Sequence, residues 1–218
     1  NLWHGVGIIT GASSGMGEAT ARKLAPHASG VVIAARRLNR IEAIAKELGE
    51  HVIPVQCDVK NKEDVQRAVQ CAIDSFGRVD ALINNAGVAP LSSMLRCRVD
   101  DWDNTIDTNI KGVLYGIAAV LPHMLEQKTG HIITISSETA RRVFPGSGVY
   151  SATKHAVRAI SEGLQQDLSA RSQKDGNDIK EKALAPGYVL TELSSSFTFE
   201  PAKKDFIHHL ESLDGALT

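Results

Sequence analysis

The chain has 218 residues, 43% of them hydrophobic and 22% charged, enough for a full buried core within a single domain over residues 1–218. Its 24 basic and 25 acidic side chains leave a net charge of -1, so no global field argues for a nucleic-acid or membrane-surface partner, and a small molecule is expected instead. Cys57, Cys71 and Cys97 show no Cys-x-x-Cys pairing, and no stretch approaches the ~18 apolar residues of a membrane span, which points to a reducing, cytoplasmic setting.

In chain order, short apolar and partly β-branched runs read as buried strands at residues 6–10, 31–35, 52–55, 81–84 and 131–136, each too brief for a helix. Longer segments between them carry helical periodicity. Strand and helix therefore alternate, which predicts an α/β fold with a parallel sheet covered by helices on both faces. Ligands of such sheets sit beyond the carboxyl ends of the strands, so motifs are expected there.

The first run leads into residues 10–17, Thr-Gly-Ala-Ser-Ser-Gly-Met-Gly, followed by a helical segment with Ala19, Ala21 and Leu24. Glycines let the chain turn tightly and let a pyrophosphate approach the amides of a helix N-terminus. The spacing Gly-x-x-x-Gly-x-Gly is neither the Gly-x-Gly-x-x-Gly fingerprint nor a Walker loop, which disfavours phosphate hydrolysis. The plainer alternative is a turn that merely packs a helix on a sheet. The second run ends Ala34-Ala35-Arg36-Arg37, where an NAD site usually carries an acid. Ala35 cannot bond a ribose hydroxyl and the Arg36 guanidinium suits a 2′-phosphate, so NADP(H) is favoured; otherwise Arg36 and Arg37 are a solvated pair at a helix start.

Further along, Ile106, Ile110, Val113, Leu114, Ile117 and Leu121 form one helical stripe before Pro122. Tyr150 and Lys154 then stand four residues apart, one turn on one helix face. A free phenol titrates near pH ~10, and an adjacent cation lowers that value, so Tyr150 is expected to act as an acid or a base. Structural ion pairs share this pattern, and the surrounding chain decides. The polar residues 170–182 read as a helix end running into a loop.

With residues 10–17, Asn84-Asn85-Ala86-Gly87, Asn109, Ser137, Tyr150, Lys154 and Pro186-Gly187 in this order, the chain resembles the short-chain dehydrogenase/reductase family over residues 5–193. The resemblance implies a Rossmann-type, doubly wound parallel sheet in three α/β/α layers. It also implies cofactor roles: Gly11, Ser13, Ser14, Gly15 and Gly17 at the diphosphate and ribose, with Met16 backing the nicotinamide. Arg36 and Arg37 would take the 2′-phosphate, and Asp58 and Val59 would flank the adenine. Asn85, Ala86 and Gly87 would line the cleft, while Pro186, Gly187, Val189 and Thr191 would hold the carboxamide end. Tyr150 and Lys154 would also reach the nicotinamide ribose. A homotetramer or homodimer is expected by the same resemblance.

Thirteen residues before Tyr150, Ser137 can aim its hydroxyl at the substrate oxygen that the phenol serves and steady a developing alkoxide. Side chains alternate along a strand, so only one of Ser136 and Ser137 should face the cleft, and the spacing favours Ser137. Asn109, a poor helix former within the apolar stripe, could free a backbone carbonyl for a water that relays protons to Lys154. The implied activity is NADP(H)-dependent oxidoreduction of CH-OH groups on a small carbonyl or alcohol, such as a 3-hydroxy acid like serine. A carbonyl reductase for bulkier ketones or aldehydes, or a non-catalytic NADP sensor, are the alternatives.

Residues 138–148, the loop containing Met94 and residues 188–199 should shape the substrate pocket. Arg141 or Arg142 could pair with a substrate carboxylate, although two adjacent loop arginines more commonly form a solvated face. His155 and His208-His209 suggest no metal site. Two departures from the family stand out. Glu181 and Lys182 fall where an apolar sixth strand is expected, and charges buried there would cost several kcal/mol each, so a very short strand or an irregular segment is expected. The chain also reaches Thr218 without an obvious final helix and strand, so those elements are expected to be lacking or incomplete.

Overall fold

The computed structural model describes residues 3–187, 189 and 191–193. Six strands, β1 (Val6–Thr10), β2 (Gly30–Ala35), β3 (Val52–Gln56), β4 (Ala81–Asn84), β5 (Thr129–Ile135) and β6 (Asp178–Leu184), form one sheet. Their order is β3-β2-β1-β4-β5-β6, and every neighbouring pair is parallel. The helices are α1 (Gly15–Leu24), α2 (Leu38–Leu48), α3 (Lys62–Phe76), α4 (Val99–Ile106), α5 (Gly112–Gln127) and α6 (Gly148–Asp175).

Alternation along the strands sorts the core into two layers. On one face Val6, Ile8, Val32, Leu82, Ile132 and Ile179 meet α3, α5 and α6 through Val69, Ile117, Val120, Met124 and Val157. On the other, Ile9, Val31, Ile33 and Ile83 meet α1 and α2 through Ala21, Ile41 and Ile44. Each wholly buried Ile or Leu, such as Ile8 and Leu82, stabilises the fold by about 1.5–3 kcal/mol relative to exposure. The chain winds outward from β1 to β3 and returns to β4, so the order reverses between β1 and β4. Doubly wound sheets open their ligand crevice at that switch point.

Three expectations change. The sixth strand is neither short nor irregular: all seven residues from Asp178 to Leu184 pair with β5. Alternation resolves the conflict, since Lys180 and Lys182 point to solvent and only Glu181 turns inward. Residues 170–182 are accordingly the end of α6 followed by β6, not a helix running into a loop. The predicted stripe is split, because a π-helical turn, Asp107–Lys111, separates α4 from α5. That turn shifts the helical phase, leaving Ile106 and Leu114 exposed while Val113, Ile117, Val120 and Met124 are buried, and α5 continues past Pro122 to Gln127. The expectation about a final helix and strand falls on residues 194–218, outside the described residues. No described helix is long and apolar enough to cross a membrane.

Candidate active site

The crevice starts at the glycine turn between β1 and α1. Gly11 and Gly15 adopt φ of 67° and 55°, the left-handed region that side chains disfavour. A Cβ on Gly11 would come within 2.8 Å of Ala86 Cα, and one on Gly17 within 2.5 Å of the Gly11 carbonyl oxygen. The turn is pinned to the end of β4: Asn85 Nδ2 donates to the Thr10 carbonyl at 2.9 Å, and Thr10 Oγ1 accepts from the Asn85 and Ala86 amides at 3.1 Å. Ser14 precedes α1 in extended conformation and makes no side-chain cap, which leaves the first-turn amides open to an anion.

At the end of β2, the Arg37 guanidinium reaches back to the turn. Its Nη2 donates to Ser13 Oγ at 2.8 Å and to Ser14 Oγ at 2.7 Å, while Nη1 donates to Glu192 at 2.8 Å. Arg40 donates to both Glu192 carboxylate oxygens, at 2.7 and 2.9 Å. Bonds from Arg37 and then Arg40 hold the Glu192 carboxyl down at about 2, so it is ionised throughout the neutral range.

The other end carries the hydroxyls and the ammonium. Tyr150 lies in the first turn of α6, which Ser147 anchors by accepting from the Phe144 amide at 3.0 Å. Burial raises the Tyr150 phenol above its ordinary value, and a hydrogen bond with Ser137 partly offsets this. Lys154 is buried, donates to the Ile135 carbonyl at 2.7 Å, and sits 5.8 Å from the Tyr150 ring centroid. Desolvation brings its ammonium down to about 8. This corrects the expectation from the sequence that Lys154 lowers the phenol: the ammonium is directed at a carbonyl of β5, and burial dominates the phenol. Ser137 faces Tyr150, whereas the buried Ser136, which also borders the cleft, donates to the Lys154 carbonyl at 3.4 Å.

Asn109 occupies the π-helical turn and is 1% exposed. Its side chain brackets Val88, accepting from the Val88 amide at 2.9 Å and donating to the Val88 carbonyl at 2.9 Å, and it reaches Thr153 Oγ1 on α6 at 3.1 Å. Asn109 thus ties the segment following β4 to the helix that carries Tyr150 and Lys154. A Cβ on Gly87 would stand 3.4 Å from Asn109 Oδ1 and 3.8 Å from Lys154 Nζ.

These parts enclose a cleft of about 330 Å³. Its walls include Ser14, Gly15, Met16, Arg36, Arg37, Asn85, Gly87, Ser137, Tyr150, Lys154, Pro186, Gly187, Val189 and Thr191, all expected from the sequence. Gly11, Ser13, Gly17, Ala86 and Asn109 lie behind the wall and shape it. Asp58 and Val59 do not line the cleft. Val59 is buried in the core against Gly112, and the Asp58 amide and carboxylate are engaged with Asp64 and Lys60 in the turn before α3. Sequence reasoning placed Val88, Ala89, Leu91, Glu138, Phe144 and Glu192 only within segments expected to shape the pocket, and it did not expect Ile135 and Ser136 on the wall. No local spacing singles these residues out within their segments. Arg141 borders a second cavity of about 470 Å³ together with Arg158 and Glu181. Met94 packs near Gly148 instead of on the wall, and Tyr188 and Phe197 lie outside the described residues.

A doubly wound sheet with this glycine turn at its switch point, and a serine, a tyrosine and a lysine at the same opening, defines a nucleotide-binding oxidoreductase architecture. The chain belongs to the short chain dehydrogenase family, whose sequence model matches residues 6–201. It is 45% identical over 206 residues to an uncharacterized oxidoreductase of Staphylococcus saprophyticus, a match covering 94% of this chain and 82% of that one. Among solved structures, a short chain dehydrogenase/reductase from Burkholderia phymatum in complex with NAD superposes with a TM-score of 0.84 at 32% identity, covering 89% of this chain and 69% of that one. The closed form of serine dehydrogenase complexed with NADP+ gives a TM-score of 0.83 at 32% identity, covering 92% of this chain and 80% of that one.

Proposed function

We propose that the protein is an NADP(H)-dependent oxidoreductase that interconverts a small carbonyl compound and its alcohol, within one domain spanning residues 1–218. The observation that carries this reading is the convergence of Ser137, Tyr150 and Lys154 on one wall of a cleft whose other end is a glycine turn with arginines. The turn fits a dinucleotide: side chains at Gly11 and Gly17 would fill the cradle, and the uncapped first turn of α1 suits a diphosphate. Gly15 and Met16 would lie along it. Arg36, Arg37, Ser13 and Ser14 would hold a 2′-phosphate. Asn85, Gly87, Tyr150 and Lys154 would hold the nicotinamide ribose, and Pro186, Gly187, Val189 and Thr191 the carboxamide end. When bound, the nicotinamide nucleotide supplies or accepts the hydride.

The chain's own residues handle the proton. Because burial keeps the Tyr150 phenol protonated at neutral pH, it is poised to donate to a carbonyl oxygen, the acid role of the reductive direction. Ser137, bonded to that phenol, steadies the oxygen as charge develops on it. Lys154, one turn away, keeps its ammonium on the cleft wall through the bond to the Ile135 carbonyl. Asn109 positions both by tying Val88 to α6.

The described substrate end carries apolar Val88, Ala89, Leu91 and Phe144, and Glu138 also lines the cleft. Arg141 faces the second cavity, so it gives a substrate carboxylate no partner in the cleft. Among the described residues this lining favours a neutral ketone or aldehyde over a hydroxy acid such as serine. We further propose a homodimer or homotetramer in the cytoplasm; the exposed apolar Val99, Ile106 and Leu114 on α4 and α5 support the subunit contact. Purified protein tested for NADPH oxidation against neutral ketones, aldehydes and 3-oxo acids decides the substrate class. Turnover confined to the anionic members would overturn the neutral-carbonyl reading, and tight NADPH binding without any turnover would favour an NADP sensor.

A further inference from the structure

The 2′-phosphate end of the cleft already contains an anion that belongs to the chain. Glu192 lies far from Arg37 in sequence, yet both of its carboxylate oxygens are engaged by Arg37 and Arg40 at 2.7 to 2.9 Å. The same Arg37 fork is anchored from its other edge by Ser13 and Ser14 at 2.7 to 3.1 Å. Thr191 packs over the glycine turn, 3.0 Å from where a Cβ on Gly15 would stand, so Glu192 crosses the nucleotide end of the crevice to reach the end of β2. Arg37, Ser14, Thr191 and Glu192 all face that cleft.

We propose that Glu192 sets how strongly the protein distinguishes 2′-phosphorylated from unphosphorylated nicotinamide nucleotides, because its carboxylate occupies the guanidinium edge that a 2′-phosphate would need. This rests on the oxidoreductase reading given above. A 2′-phosphate approaching Arg37 meets a like charge and must take Nη1 from Glu192, whereas an unphosphorylated ribose leaves the Arg37–Glu192–Arg40 cluster intact. The exchange is within reach. Both partners of the Arg37–Glu192 pair are substantially solvent-exposed, with side chains 42% and 48% accessible, so parting them uncovers no buried charge. A phosphate brings more charge and more acceptor oxygens to the fork than a carboxylate does. The apparent affinity for the phosphorylated nucleotide is thus lowered by the fraction of molecules in which the cluster is open, while the unphosphorylated one is untouched.

Glu192→Gln keeps the shape and removes the charge. Direct binding by calorimetry, with NADP+, NAD+, adenosine 2′,5′-bisphosphate and 5′-AMP as probes, reads the effect without turnover. The variant should bind NADP+ and the bisphosphate about three- to tenfold more tightly, corresponding to a cluster open in about one-third to one-tenth of wild-type molecules. NAD+ and 5′-AMP should change by less than about twofold. Equal changes for both classes, or weaker NADP+ binding by the variant, would overturn the specificity role and leave the oxidoreductase reading standing. Failure of the wild-type protein to bind either dinucleotide would overturn both.

Discussion

Replacing Lys154 by Met should make the protein more stable and inactive, and the gain should depend on pH. Burial brings the Lys154 ammonium from 10.5 to about 8, so between these values the unfolded chain binds more protons than the folded one. Stability contributed by this group therefore rises with pH across that window. At ~1.4 kcal/mol per pKa unit, holding the charge in the folded state costs about 3 kcal/mol near pH 7 and about 1 kcal/mol near pH 9.5. Methionine avoids that cost but forfeits the bond to the Ile135 carbonyl, which sets about 1–2 kcal/mol against it. Lys154→Met should then be about 1–2 kcal/mol more stable than wild type near pH 7, and the difference should fall by about 2 kcal/mol near pH 9.5. Urea unfolding of both proteins at the two pH values measures it, and groups common to both cancel. A stability difference independent of pH would refute the claim that a buried ammonium sits there. Turnover should drop by about a hundredfold or more.

Other outcomes follow from the same geometry. Glu181 is 7% exposed, and burial raises its carboxyl above the ordinary value despite the Ser161 and Thr134 hydroxyls nearby. Its contribution is complete below the usual glutamate range and is lost as pH rises through the raised value, so Glu181→Val should add about 1–3 kcal/mol near neutrality and less near pH 4, read by thermal unfolding. Asn109→Ala removes the bracket on Val88 and leaves part-buried backbone groups without these bonds; it should cost about 1–3 kcal/mol of stability and lower kcat more than it raises KM. Because Tyr150 is protonated at neutral pH, alcohol oxidation should rise with pH above neutrality while carbonyl reduction does not, and a pH–rate profile that is flat in both directions would contradict the acid–base assignment.

The parts of the fold legible in the sequence are those governed by local pattern. Strands such as β1 and β4 are short apolar runs, and the glycine turn carries its own spacing, so both were found at or near their true limits. The reading failed where a choice depends on a distant partner. The pattern in β6 shows Glu181 and Lys182 side by side, and only pairing with β5 and the approach of α6 show that one is buried and the other solvated. The π-helical turn at Asn109 shifts a helical phase that periodicity assumes constant. The Tyr150–Lys154 pair was readable because the two residues are spaced along one helix. Electrostatic consequences were not, since whether Lys154 acts on the phenol or on the Ile135 carbonyl depends on how α6 meets β5. Glu192 reaches its arginines across the crevice, a contact that no local window contains.

The measurement that bears most directly on the central claim is the paired assay of Tyr150→Phe: turnover of a carbonyl substrate with NADPH, and NADPH affinity by fluorescence, in one preparation. Removing the hydroxyl alone should lower turnover by about a thousandfold or more while leaving the nucleotide affinity within about threefold, because the ring, Lys154 and the glycine turn remain. Turnover close to wild type in that variant, with the nucleotide still bound, would contradict the assignment of Tyr150 as the proton donor.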